Sequence, residues 1–174
     1  MNNNRWQPFI NEQTPFYLYD LAELRRTLKI ATYWSNQYGY ELHYALKANA
    51  NAEILREMKN FGIGADCVSG NEIRQALRVG INPNQIVFAG VGKTDEELQL
   101  AIETGILCIN VESIQELEVI QSLASRIKQQ APVALRVNPD IDPHTHEYIS
   151  TGQSRNKFGI ARHEIVVAIE QVHQ

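Results

Sequence analysis

After residue 40 the chain repeats one unit, and that repeat limits the folds open to it. Each unit is a short apolar run rich in β-formers, then a polar break, then a segment with helical spacing. The strand-like runs are Glu41–Leu46, Gly64–Val68, Gln85–Ala89, Ile106–Val111 and Val133–Val137. Between them, Ala52–Phe61, Asn71–Val79, Asp95–Thr104 and Ile114–Gln129 carry apolar residues near i, i+3, i+4 and i+7. Ile73, Ala76, Leu77 and Val79 share one such face, and Leu98, Ala101 and Ile102 share another. Three helix starts read as capping boxes: Ser69 with Glu72, Thr94 with Glu97, and Ser113 with Glu116. Gly62, Gly80 and Gly105 follow the helical segments, where a left-handed residue ends a helix. Strand, loop, capped helix and glycine in this order predict β/α units around a parallel sheet.

Successive strand runs are spaced by about 20 to 25 residues, which suits the compact units of a barrel. No G-x-G-x-x-G follows the first strand, which argues against a dinucleotide fold. The expected fold class is therefore α/β, a partial (β/α)8 TIM-type barrel of about five to six units. Five strand runs follow residue 40, and the chain stops inside a sixth helical pattern, Glu164–His173, as the front part of a longer protein would. Residues 21–174 form this incomplete barrel, opening on a helix over Leu21–Trp34. Residues 1–20 stand outside the rhythm. Their β-type run, Thr14–Asp20, is expected to pair with a second β domain. Asn138–Gly159 is far longer than an ordinary β/α connection, and loops of that length are commonly functional.

Composition narrows the function classes. Hydrophobic residues make up 44% and charged residues 21%, as in a soluble globular protein. A net charge of −4 leaves no electrostatic footprint for nucleic acid or an anionic membrane. No apolar run approaches a membrane span, and Met1–Trp6 lacks the apolar core of a signal peptide. Cys67 and Cys108 fall in strand-like segments and read as buried thiols of a reduced cytoplasmic protein.

In a parallel β/α array, working groups gather where strands run into the following loops. That rule selects Lys47, Asp66, Ser69, Lys93, Glu112, Arg136 and Asn138. Lys47 follows the run Leu42–Leu46, where partial desolvation would lower its pKa and suit it to Schiff-base chemistry. A lysine that ends a strand and reaches into solvent is the plainer account. Ser69 is a helix cap, and Glu112 a solvated first-turn acid favoured by the helix dipole. Gly90–Thr94 lacks the first glycine of a phosphate loop, so Lys93 is not assigned to one. Asp66 and Arg136 lie within strand runs, where a charge needs a partner, either in an internal ion pair or around a ligand. His144 and His146, with Asp140, Asp142 and Glu147, have no fixed ligand geometry, so no metal site is assigned. Ser150 and Thr151 continue the polar loop and suit a substrate-contacting lid.

The stretch Tyr44-Ala45-Leu46-Lys47-Ala48-Asn49 closely resembles the cofactor-lysine motif of the alanine-racemase-like pyridoxal-phosphate enzymes. Gly64–Glu72, Val87–Thr94 and the long segment from Arg136 to Gly159 resemble one branch, the diaminopimelate decarboxylases. The resemblance runs from about Thr14 to the C-terminus, and it implies a barrel with a second β domain. It implies that pyridoxal phosphate bonds to Lys47, that Asp66 and Arg136 hold the lysine and the ring, and that the loop of His144, Ser150 and Thr151 borders a small amino-acid substrate. The reaction implied is decarboxylation of meso-2,6-diaminopimelate to L-lysine by a homodimer. Family members are roughly twice this length, and the remaining cofactor contacts would lie beyond Gln174, so this chain alone is expected to be inactive. A sister decarboxylase of ornithine, arginine or carboxynorspermidine, or a non-catalytic pyridoxal-phosphate binder, are the competing readings.

Overall fold

The computed structural model describes residues 7–139 and 158–172. Five parallel strands lie side by side in chain order: β1 (His43–Ala45), β2 (Gly64–Cys67), β3 (Ile86–Phe88), β4 (Cys108–Val111) and β5 (Val133–Leu135). Helix α1 (Leu21–Tyr38) precedes them, and α2 (Ala52–Asn60), α3 (Gly70–Arg78), α4 (Asp95–Thr104) and α5 (Ile114–Ile127) form the crossovers. A further parallel pair, β6 (Val137–Asn138) with β7 (Ile160–Ala161), leads into α6 (Ile165–Val172). Arg136 joins the two sheets. Its N–H donates to Val111 O at 3.0 Å, and its carbonyl accepts from the Ile160 N–H at 2.7 Å. The ladder thus reaches a sixth strand, where the sequence pattern showed only five. Two residues are too few to show an alternating pattern.

The alternation of side chains across each strand explains the layering. Ala65, Cys67, Ile86, Phe88, Ile109 and Val111 have no exposed surface and pack against the helices. They meet Leu55, Ile73, Ala76, Leu98, Ala101 and Ile120 from α2 to α5. Residues one step along in each strand point to the inner face. Ala45, Asp66, Val87 and Cys108 are successive register partners there. Cys108 is consequently half-buried on the inner face rather than in the apolar core, whereas Cys67 is in the core as expected. Its core position, with Glu72 and Asp66 adding repulsion, pushes the Cys67 thiol up to about 12. Gly64 admits no side chain on this face, because a Cβ would lie 2.4 Å from Gln85 O and 2.6 Å from the His43 ring.

Helix starts follow the expected residues with one difference. Thr94 and Glu97 form the full reciprocal box. Ser69 and Ser113 accept from the Glu72 and Glu116 N–H groups, but those carboxylates reach one residue further back. Glu72 accepts from the Val68 N–H, and Glu116 from the Glu112 N–H, both at 2.7 Å. The cap backbones explain this. Ser69 and Ser113 are nearly fully extended, with φ −155 and −156, while Thr94 has φ −86. Helix α1 runs a turn beyond the expected Trp34 and stops at Gly39, in the left-handed region at φ 70. Residues 7–20 contain no strand, and the Tyr19 hydroxyl accepts a hydrogen bond from Asn49 Nδ2 at 2.9 Å.

Two polar contacts brace the units from inside. Lys93, with a side chain 1% exposed, donates to Gly90 O, Asn110 O and Glu116 Oε1, each at 2.7 Å. All three ammonium protons are used, tying the loop after β3 to β4 and α5. Replacing Lys93 by Met is expected to cost about 3 kcal/mol in urea unfolding, because Glu116 loses its buried partner. Glu97 links two helix starts, accepting from the Thr94 N–H at 3.0 Å and the Gly70 N–H at 2.7 Å. Those bonds hold its carboxyl below the usual glutamate range. A depressed pKa gives stability that is present above the unfolded value and is lost as pH falls through the folded one. Glu97→Ala should therefore be less stable by about 1 kcal/mol at neutral pH. The gap to the unsubstituted protein should close on acidification from about pH 5 to pH 3, as read by thermal unfolding.

Candidate functional site

The inner face opens into a cavity of about 750 Å³ at the C-terminal ends of the strands. Lys47, Asp66, Asn110, Arg136 and Phe158 line it, with His43 at its floor. Three of the sequence-selected residues, Lys47, Asp66 and Arg136, thus share one space. A second cavity of about 530 Å³, at the opposite ends of the strands, has no lysine or arginine among its lining residues.

Lys47 is placed by a short 3-10 turn, Leu46–Ala48, that directly follows β1. Leu46, 1% exposed, anchors the turn in the core. Asn49 fixes the other side, accepting from the Asn51 N–H at 2.9 Å while donating to Tyr19. Asn51 in turn caps α2 by accepting from the Glu53 N–H at 2.9 Å. The lysine itself is exposed at the mouth of the cavity, so the desolvation expected for it is not supplied by the described residues.

Asp66 stands in the middle of β2 with Oδ1 buried and unpartnered among the described residues. Of the two alternatives for Asp66 and Arg136, the internal ion pair between them does not form. Arg136 Nη1 instead donates to Glu112 Oε1 at 2.8 Å, and its guanidinium lies 5.5 Å from the Phe158 ring centre. Glu112 is 8% exposed, so it is a buried partner and not a solvated first-turn acid. Sequence reasoning placed Glu112 on the rim but missed this pairing, and no local pattern signals a contact across 24 residues. Ser69 acts as the α3 cap, as expected. Asn138 lies in β6. His144, Ser150 and Thr151 fall outside the described residues.

The cavity suits a planar, anionic, aldehyde-bearing ligand. An amine stands at its mouth, an acceptor without a donor at Asp66 and a guanidinium at its wall. His43 Nε2 adds a second buried polar atom without a partner. Buried polar groups are ordinarily satisfied, so the orphaned Asp66 Oδ1 in the wall of this cavity marks a place for a ligand. Val68, Val87, Ala89 and Leu135 supply apolar walls for a ring. The residues present therefore fit pyridoxal phosphate.

Comparison with known proteins gives the same direction. A curated diaminopimelate decarboxylase of Bacteroides thetaiotaomicron is 53% identical over 154 residues, covering 88% of this chain and 40% of that protein. The crystal structure of a mutant diaminopimelate decarboxylase from Helicobacter pylori, complexed with L-lysine, superposes with a TM-score of 0.84 at 41% identity. It covers 94% of this chain and 42% of the Helicobacter chain. The arginine decarboxylase of Paramecium bursaria Chlorella virus, bound to agmatine, is more distant at TM-score 0.69 and 27% identity, covering 87% of this chain and 38% of that one. The chain thus spans about two fifths of the length of the curated relatives it matches. Residues 22–174 match the family described as pyridoxal-dependent decarboxylase, pyridoxal binding domain, and the chain belongs to that family.

Proposed function

We propose that this chain is the cofactor-binding barrel part of a pyridoxal-phosphate-dependent decarboxylase that converts meso-2,6-diaminopimelate to L-lysine. The observation that carries the reading is the 53% identity to a diaminopimelate decarboxylase over 154 residues of the chain. When bound, pyridoxal phosphate supplies an electron-poor ring that takes up the electron pair left as carbon dioxide departs.

The chain's own residues do the holding. Lys47 Nζ would hold the cofactor as its covalent anchor, from an exposed position at the cavity mouth that a substrate could also reach. Asp66 presents an unpartnered carboxylate oxygen that accepts from a donor on the lysine or the ring. Arg136 offers a cation to an anionic oxygen of the cofactor. Val87, Ala89 and Leu135 give the ring apolar walls to pack against. The loop over residues 144–152, with His144, Ser150 and Thr151, is proposed to border the substrate.

We assign residues 1–20 to a second β domain on the family resemblance, with the exposure of Tyr17 in its support. A homodimer is proposed on the family resemblance, and a cytoplasmic location on the two free cysteines. Among the described residues, no helix is long and apolar enough to cross a membrane.

Borohydride reduction after loading with pyridoxal phosphate, followed by peptide mass mapping, tests the cofactor role. In a version extended to the length of the relatives, a reduced adduct is expected on Lys47 and is expected to vanish in Lys47→Ala. An unlabelled Lys47 in the loaded protein would refute the assignment. The same extended version is expected to release lysine from meso-diaminopimelate faster than it decarboxylates arginine or ornithine, and residues 1–174 alone to release none.

A further inference from the structure

Glu112 follows β4 and is nearly excluded from water, at 8% exposure. Oε1 accepts from Arg136, while Oε2 is buried without a partner among the described residues. Burying a carboxylate beside a single, half-exposed cation is unfavourable for stability. Nor does the fold require it as a staple. The β4–β5 ladder already joins these strands, and the Arg136 N–H bonds Val111 O above it. What the pair controls is the side chain of Arg136.

Three contacts converge on that side chain. The carboxylate holds Nη1, and the Phe158 ring lies 5.5 Å from the guanidinium carbon. Gly159, at φ +96, brings its backbone so close that a Cβ would lie 3.1 Å from Arg136 Cγ and 2.7 Å from Arg136 O. Glu112 itself has a fixed base. Its N–H donates to Glu116 Oε2, and Glu116 Oε1 is bonded to the buried Lys93. A line of charged contacts therefore runs from the core to the cavity wall and ends at a guanidinium. Arginine loses much rotamer freedom when fixed, so fixing it beforehand favours whatever it binds.

We infer that Glu112 is a positioning residue that holds the Arg136 guanidinium at the wall of the cavity, presetting its remaining N–H donors for an anionic oxygen of the cofactor. The identity of that anion rests on the function proposed above. The restraint on Arg136 does not.

Phenylglyoxal modifies guanidinium groups, and peptide mapping then reads Arg136 in the chain without any cofactor. Glu112→Gln is expected to raise the modification rate at Arg136 about fivefold, as exchange of a charged acceptor for a neutral one implies. The rate at Arg56 on α2 should not change. In the version extended to the relatives' length, Glu112→Gln is expected to weaken pyridoxal phosphate binding about tenfold, followed by the cofactor's visible absorption. Glu112→Asp should restore part of that affinity, and Glu112→Gln should add nothing to the loss caused by Arg136→Gln. An Arg136 rate equal to that of the unsubstituted protein overturns the inference, even if thermal stability falls. A raised rate with unaltered cofactor affinity overturns it too, because the restraint then serves no ligand. Failure to label Lys47 in the unsubstituted protein overturns the cofactor reading instead, and the Arg136 rate still decides whether Glu112 restrains it.

Discussion

Between the outer face of the sheet and helices α2 to α5, six strand side chains have no exposed surface, and they fix everything the inner face can do. Each fully buried isoleucine, valine or phenylalanine contributes roughly 1.5 to 3 kcal/mol, so a one-residue slip of any strand would forfeit several such terms at once. The register is thereby locked. Because side chains alternate, the same lock determines which residues look inward. Asp66 cannot leave the inner face without putting Cys67 or Ala65 there in its place. The cavity's polar groups are held in position by apolar packing on the opposite side of the same strands.

That arrangement also accounts for polar atoms the cavity leaves unsatisfied. Asp66 stands in the middle of β2 with Oδ1 buried, and the cation across the cavity, Arg136, gives one of its donors to Glu112 instead. The Asp66 oxygen remains without a donor among the described residues, as does His43 Nε2. The sheet's stability comes from its outer face, so the inner face can carry such costs. Lys47 stands apart from both, on a turn beyond the strand end. There it can stay exposed while the turn itself is tied down by Leu46, Asn49 and Asn51.

The parts of this structure that were legible in the sequence are those set by near neighbours. The β/α rhythm, the Thr94–Glu97 box and the Tyr44–Asn49 motif each depend on residues within a turn or two. Ser69 and Ser113 carry the same letters as a capping box, yet their extended backbones hand the carboxylate to the preceding residue. Letters alone do not reveal a φ of −155. Glu112 and Lys93 were legible only as rim positions, because their partners stand 24, 17 and 23 residues away. Strand β7 escaped notice because its two residues depend on Arg136 O for their pairing.

Lys93 has a consequence in evolutionary terms. Its ammonium meets three acceptors at equal distances in a space with almost no free surface, a geometry that suits a compact point charge. The forked, planar head of an arginine cannot converge on three such points, and no neutral side chain can answer Glu116. Lineages carrying this fold would thus be expected to keep a lysine here under purifying selection that has nothing to do with turnover. A lysine on the rim of such a barrel can thus be immutable for what it holds together alone.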